Sequence, residues 1–214
     1  MTMTDFDTLI DELASDAEPV RSQSTRMGRF LLAGIAAATV AAVFSTYGFR
    51  ADIIAGSPSP MVGVAAGLML ILAVASGAGA VRMARPQVGA AASGAPWALA
   101  ALLLLPVLAL AGIAARPDLA SGMASDSGLR CLIFGLIAGA GSLAFLTAWL
   151  RRGAPVAPEQ AAWLAGLAAG GIGALAVTLE CPRDELAHLG VWHVAVVLVS
   201  ALGARLLLPR LLRW

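Results

Sequence analysis

The stretch LRCLIFGLIAGAGSLAFLTAWLRRGAPVAPEQAAWLAGLAAGGIGALAVTLECP, residues 129–182, is an apolar run, a short basic loop and a second apolar run, with a cysteine near each far end. Each run is close to the ~20 residues that an α-helix needs to cross a hydrocarbon core of ~30 Å. A backbone inside lipid must satisfy its own hydrogen bonds, so helices are the natural form. The runs are rich in Leu and Ala and show no strand-like alternation, which argues against a β-barrel. If the loop 151–159 turns near position 156, Cys131 and Cys181 each lie 25 residues from the turn. Equal helical counts at ~1.5 Å per residue then bring both thiols to the same depth. They are the only two cysteines in the chain.

Working outward, six such runs appear, at about 30–48, 61–81, 96–115, 130–150, 160–179 and 189–208. Only 13% of the 214 residues are charged, against roughly 25% in an ordinary soluble domain. The expectation is an all-α integral membrane protein: a six-helix transmembrane domain over 30–214 and an N-terminal segment over 1–29. All 14 basic residues are arginines. Arg21, Arg26, Arg29, Arg82, Arg85, Arg151, Arg152, Arg205, Arg210 and Arg213 fall on one side of the expected bundle, and Arg50, Arg116, Arg130 and Arg183 on the other. The positive-inside rule places both termini in the cytoplasm. Trp97, Trp149, Trp163, Trp192 and Trp214 sit at run ends, as an interfacial aromatic belt requires. No signal peptide precedes the first run, so the N-terminus is expected to stay attached.

The N-terminal segment carries six of the 13 acids within its first 18 residues. Thr4, with Asp7 three positions on, has the spacing of a capping box for a helix over about 5–17. Phe6, Leu9, Ile10 and Leu13 follow i, i+3, i+4, i+7 and form one apolar stripe; Asp7, Asp11 and Glu12 fill the polar surface. Pro19 stops the helix, and residues 19–28 read as a linker. Membrane-lying helices usually carry Lys and Arg on the polar face. An acidic amphipathic helix instead fits a groove on a protein partner, with these seven residues as the contact set.

Within the runs the chemistry is sparse. No ionisable residue stands at the middle of any run, which disfavours an ion or proton pathway. A small-molecule membrane carrier stays open only as an alternative. Hydrolase, kinase, dinucleotide and P-loop signatures are absent, so no enzyme is expected, and the net charge of +1 gives no reason to expect nucleic-acid binding. Gly63/Gly67, Gly135/Gly139 and Gly166/Gly170 give small-xxx-small faces for close helix packing or a homo-oligomer contact. Cys131 and Cys181 are the candidate reactive pair, with His188, Glu180 or Asp184 as helpers should they ligate a thiophilic ion. His193, inside the sixth run, reads as a packing residue. Three states of the pair remain open: a structural disulfide stapling the hairpin, a reversible thiol or metal switch, and two inert buried thiols.

Several of these features together resemble one family. They are the acidic Thr4–Asp16 head, Arg116-Pro117-Asp118-Leu119, Cys131 opening a helix, Arg151-Arg152-Gly153-Ala154-Pro155, Cys181-Pro182, Trp192-His193, and Pro209-Arg210-Leu211-Leu212-Arg213-Trp214. The chain is similar to the NrsF-type six-helix membrane anti-sigma factors. That resemblance implies a multi-pass protein of the bacterial inner membrane, in contact with lipid. It implies an N-terminal helix that sequesters an extracytoplasmic-function sigma factor, and an outer cysteine pair that releases it under heavy-metal or redox stress. No permanent cofactor is implied; a heavy-metal ion would bind transiently at Cys131, Cys181 and His188.

Overall fold

The computed structural model describes residues 3–15, 23–86, 94–122 and 126–212. Its helices are α1 (Met3–Ser15), α2 (Thr25–Tyr47), the single turn α3 (Ala51–Ile54), α4 (Pro60–Met83), α5 (Ala95–Ala115), α6 (Asp126–Arg151), α7 (Pro158–Glu180), the short α8 (Leu186–His188) and α9 (Val194–Leu212). A 3-10 stretch covers Pro117–Gly122, and a π-helical turn, Leu189–His193, joins α8 to α9. Six segments are long and apolar enough to cross a membrane: Thr25–Tyr47, Pro60–Met83, Ala95–Ala115, Ser127–Arg151, Pro158–Glu180 and Leu186–Leu212. Local chemistry sets their ends. The Ser24 hydroxyl accepts the Met27 amide at 3.4 Å to start α2, and Pro60 and Pro158 open α4 and α7, where a missing N–H costs nothing. Gly48, at φ 81°, closes α2 with its N–H on the Phe44 carbonyl.

One helix forms the centre. The apolar window of α7 is 83% buried, whereas that of α2 is 11% buried. Gly and Ala cover most of the α7 surface, so neighbouring backbones come within contact distance. A Cβ on Gly173 would strike the Gly135 carbonyl of α6, and one on Gly139 would strike the Ala169 carbonyl. Gly166 and Gly170 press on Ala201 and Val197 of α9, and Gly171 presses on Ala73 of α4. The expected packing faces at Gly135/Gly139 and Gly166/Gly170 are therefore in use. Gly63 and Gly67 are not: a Cβ at either meets nothing within 4 Å, so that pair faces out of the bundle.

Contacts at the two ends establish that successive spans run in opposite directions. At one end the Arg85 guanidinium donates to the Gln23 carbonyl at 2.9 and 3.1 Å, the Ala154 amide to the Ala84 carbonyl at 2.9 Å, and Arg205 pairs with Glu159 at 3.6 Å. At the other, Arg130 meets Glu180 at 3.1 Å and Arg50 reaches the Cys181 loop. We call these the head end and the cysteine end. Trp149 donates its indole N–H to the Val81 carbonyl at 3.2 Å, Arg205 lies 5.9 Å from the Trp163 ring, and Trp97 is exposed. Trp214 lies outside the described residues.

The N-terminal helix begins at Met3, so Thr4 sits inside its first turn instead of capping it. Residues 16 and 17 of the expected helix lie outside the described residues. Phe6, Leu9, Ile10 and Leu13 are 50, 43, 60 and 64% exposed, and Asp7, Asp11 and Glu12 are exposed beside them.

Because association in lipid rests on close van der Waals contact, Gly173→Ala is expected to destabilise the bundle by about 1–3 kcal/mol. Gly63→Ala, facing open space, is the matched control. Thermal unfolding of both in detergent should lower the midpoint for the first alone; equal midpoints would refute the tight α6–α7 contact.

Candidate functional site: a buried cysteine–histidine cluster

The site is made where α7 stops. Pro182 cannot donate a helical hydrogen bond and pushes the residue before it into extended backbone. Cys181 accordingly sits at φ −63°, ψ 124°, with its own N–H still bonded to the Val177 carbonyl. The chain leaves the helix, reverses through 182–185 and re-enters helix at Leu186. Cys181 and Cys131, which lies in the first turns of α6, then meet with their sulfurs 3.6 Å apart as free thiols.

Two histidines complete the cluster. The Nε2 of His188 lies 3.5 Å from the Cys181 sulfur, and the rings of His188 and His193 meet edge to face with centroids 5.3 Å apart. One ligand atom from each of Cys131, Cys181, His188 and His193 lies within 4.8 Å of all the others, and all four residues are buried. The expected pair and His188 are thus brought together. Glu180 and Asp184 are not: Glu180 turns to Arg130 and Asp184 is exposed.

His193, read from spacing as a packing residue, joins the cluster. In a regular α-helix, residues five apart diverge by about 140° around the axis. The π turn Leu189–His193 changes that, because its i→i+5 bonding brings residues five apart almost into line. No periodicity in the sequence announces such a turn.

Hydrogen bonding orients His193. The Thr178 hydroxyl lies 2.8 Å from the Ala174 carbonyl and 2.8 Å from His193 Nδ1. In the tautomer that lets the carbonyl take the hydroxyl proton, His193 Nδ1–H donates to Thr178 and Nε2 keeps a lone pair. This is how histidine ligands are commonly held, with the second ring nitrogen anchored. His193 Nε2 and His188 Nδ1 are both buried without a hydrogen-bond partner among the described residues. Two soft thiols, two imidazoles and an unmet lone pair form a donor set that fits a thiophilic d¹⁰ cation.

Arg50 fixes the loop from outside the cluster. Arg50, only 7% exposed, donates to the carbonyls of Cys181 and Arg183, and its own N–H reaches the Leu179 carbonyl at 3.1 Å. The rest of the guanidinium forms a fork with both Asp52 oxygens, each at 2.9 Å. Asp52 also accepts the amides of Ile53 and Ser59. The Arg50 hydrogen bonds are the main reason its carboxyl falls from 3.8 to about 2. The far end of α2 is thereby tied to the backbone of a candidate ligand.

Residues 13–214 match the family described as NrsF, negative regulator of sigma F. The chain belongs to the NrsF family. A protein of Azospira oryzae named probable anti-sigma-F factor NrsF is 30% identical over 219 residues, covering 96% of this chain and 98% of that protein. No solved structure matches the chain. Membership makes the chain a negative regulator of a sigma factor, with six helices fit to span a membrane. The matched residues contain the whole cysteine–histidine cluster, whereas most of α1 precedes them.

Two outcomes are expected. Purified protein should take up one Cd²⁺ per chain with a thiolate-to-metal absorption band. His193→Ala should abolish tight binding, and Thr178→Val should weaken it by about 10–100-fold. Undiminished affinity in both variants would remove His193 from the ligand set. The Arg50–Asp52 fork follows a different rule. A carboxyl with a depressed folded pKa stabilises above its unfolded value and loses that contribution as the pH falls. The hydrogen-exchange protection factor of the Ser59 amide should thus hold above pH 3.8 and collapse as the pH approaches 2, whereas Asp52→Asn should lack it throughout.

Proposed function

We propose that the chain holds an extracytoplasmic-function sigma factor against the bacterial inner membrane through α1, and releases it when a thiophilic cation or an oxidant engages the cysteine–histidine cluster. The observation that carries the holding role is α1 itself. Four apolar side chains stand exposed on a 13-residue helix, which is too short to be stable alone in water. An acidic surface surrounds them, so the partner should present a groove that is apolar at its floor and basic at its rim.

The charge distribution supports a head in the cytoplasm. Three of the four cysteine-end arginines pair with carboxylates, Arg50 with Asp52, Arg130 with Glu180 and Arg183 with Glu185. Among the described residues, Glu159 with Arg205 is the corresponding pair at the head end. The excess of unpaired positive charge thus lies at the end where α2 begins.

For the input, two thiolates and a divalent cation sum to zero charge, which a buried site tolerates far better than a lone ion. Cys131, Cys181, His188 and His193 would hold the cation, and the two thiols would give up their protons to do so. The output follows from connectivity. Cys181 carries the carbonyl that Arg50 grips, Arg50 follows the end of α2, and α2 begins where the segment leading from α1 arrives. At its head end α2 is held by the Arg85 hydrogen bonds to the Gln23 carbonyl and by the close approach of Gly28 to Trp149. A shift of the 181–183 loop would therefore be felt at the head, provided that α2 has two positions.

Leu9→Asp and Leu13→Asp should each release the sigma factor while leaving membrane insertion intact, since burial of such side chains is worth ~1.5–3 kcal/mol each. Cys131→Ser and Cys181→Ser should each abolish the change in sigma-factor retention caused by Cd²⁺, and the double variant should be no worse than either single one. Unchanged co-purification in both leucine variants would sink the role of α1. A wild-type Cd²⁺ response in the serine variants would move the sensor elsewhere.

A further inference from the structure

Away from the cysteines, a cavity of about 850 Å³ opens at the head end between α2 and α4, with Ile172 and Leu175 of α7 as its floor. Its composition is divided along its length. Arg26, Arg29, Arg82 and Arg85 line the mouth, and among the described residues no acidic side chain lines any part of it. Deeper in, the walls are hydrocarbon, among them Phe30, Leu70 and Val74, which are 63, 50 and 62% exposed.

The depth is informative. Thr25 to Ala36 along α2 amounts to about 17 Å of helix at ~1.5 Å per residue, close to the ~15 Å of one leaflet's hydrocarbon. The groove thus begins at the charged edge of the bundle and ends near its middle. Two of the arginines already have partners within the protein, Arg85 on the Gln23 carbonyl and Arg26 over the Phe30 ring at 5.6 Å. Arg29 and Arg82, on opposite walls, have none among the described residues. Guanidinium groups converging from two helices suit a phosphodiester, which each can bind through paired N–H donors.

We infer that this groove is a binding site for one anionic phospholipid, with the phosphate held by Arg29 and Arg82 and an acyl chain lying between α2 and α4. The shape, length and charge fit a molecule that is anionic at one end and apolar for one leaflet. A basic pocket between membrane helices is a known form of lipid recognition. The inference does not depend on the cysteine cluster or on what α1 binds. It gives α2, which is only 11% buried by protein, a second surface to rest on.

The test uses the full chain, purified in detergent and presented with equal amounts of phosphatidylglycerol and phosphatidylcholine. Native mass spectrometry should show one retained phosphatidylglycerol, preferred by about tenfold or more. Arg29→Gln/Arg82→Gln should lose that preference, and Arg151→Gln/Arg152→Gln, at a different head-end loop, should keep it. A photoreactive phosphatidylglycerol offered to the unmutated protein should label Phe30, Ala33 or Val74, so the result does not hang on variants that fold. Equal retention of both lipids, loss of preference in both double variants, or labelling spread evenly over the exposed helices would overturn the site. So would a groove shielded from the lipid by residues 3–15 of the chain itself.

Discussion

The close approach of α7 to α4, α6 and α9 is the constraint on which the remaining geometry depends. In lipid there is no hydrophobic force to press one apolar helix on another, so contact must come from backbones that fit. Gly139 against Ala169 and Gly173 against Gly135 fix the register of α6 on α7. Continued one turn toward the cysteine end, that register sets Cys131 level with Val177, which with Cys181 forms a small buried cluster of its own. The thiols meet because Cys181 leaves the helix in extended backbone just beyond Val177, at the level of Cys131. A larger residue at Gly173 would therefore disturb the sulfurs without touching either.

The same packing makes the cluster costly while it holds nothing. A buried polar atom without a partner costs about 1–3 kcal/mol, and His188 Nδ1 and His193 Nε2 are two such atoms in one place. Apolar residues of similar size would fill the space without that cost. Retaining two imidazoles and two thiols there makes sense if another species completes the bonding. The donor set limits what that species is: four ligands close a tetrahedral site with no position left for substrate, which favours capture over catalysis. Two thiols and two imidazoles suit a soft cation better than the oxygen-seeking Ca²⁺ and Mg²⁺.

Much of this was legible in the sequence, for physical reasons that differ between features. The six spans were readable because lipid demands long uninterrupted apolar helices, and each observed span encloses or overlaps its expected run. The cysteine pair was readable because a hairpin of equal arms is simple geometry, although the register differs by one turn from a fold at position 156. His193 was not readable, since a π turn alters helical phase without a compositional signal. Arg50 stood in the sequence only as one of four arginines on its side of the bundle. Its importance comes from burial against Cys181, a contact 131 residues away in sequence. Gly63 and Gly67 face out of the bundle; spacing identifies a small-residue face and cannot say which way it points.

Arg50 also explains how a site at one end of the bundle can matter at the other. Its guanidinium has five N–H donors. Two go to Asp52 through the fork, and further ones go to the carbonyls of Cys181 and Arg183. Asp52 is itself held by the Ile53 and Ser59 amides, so the fork anchors the start of α4 as well as the end of α2. A lysine could supply the charge but not the planar fork that holds both sides at once. Any change in the path of residues 181–183 must either carry Arg50 with it or break hydrogen bonds to a buried charge, and the second option costs more. The same helix is tied at its head end by the Arg85 hydrogen bonds to the Gln23 carbonyl, so α2 links anchored points at the two ends of the bundle.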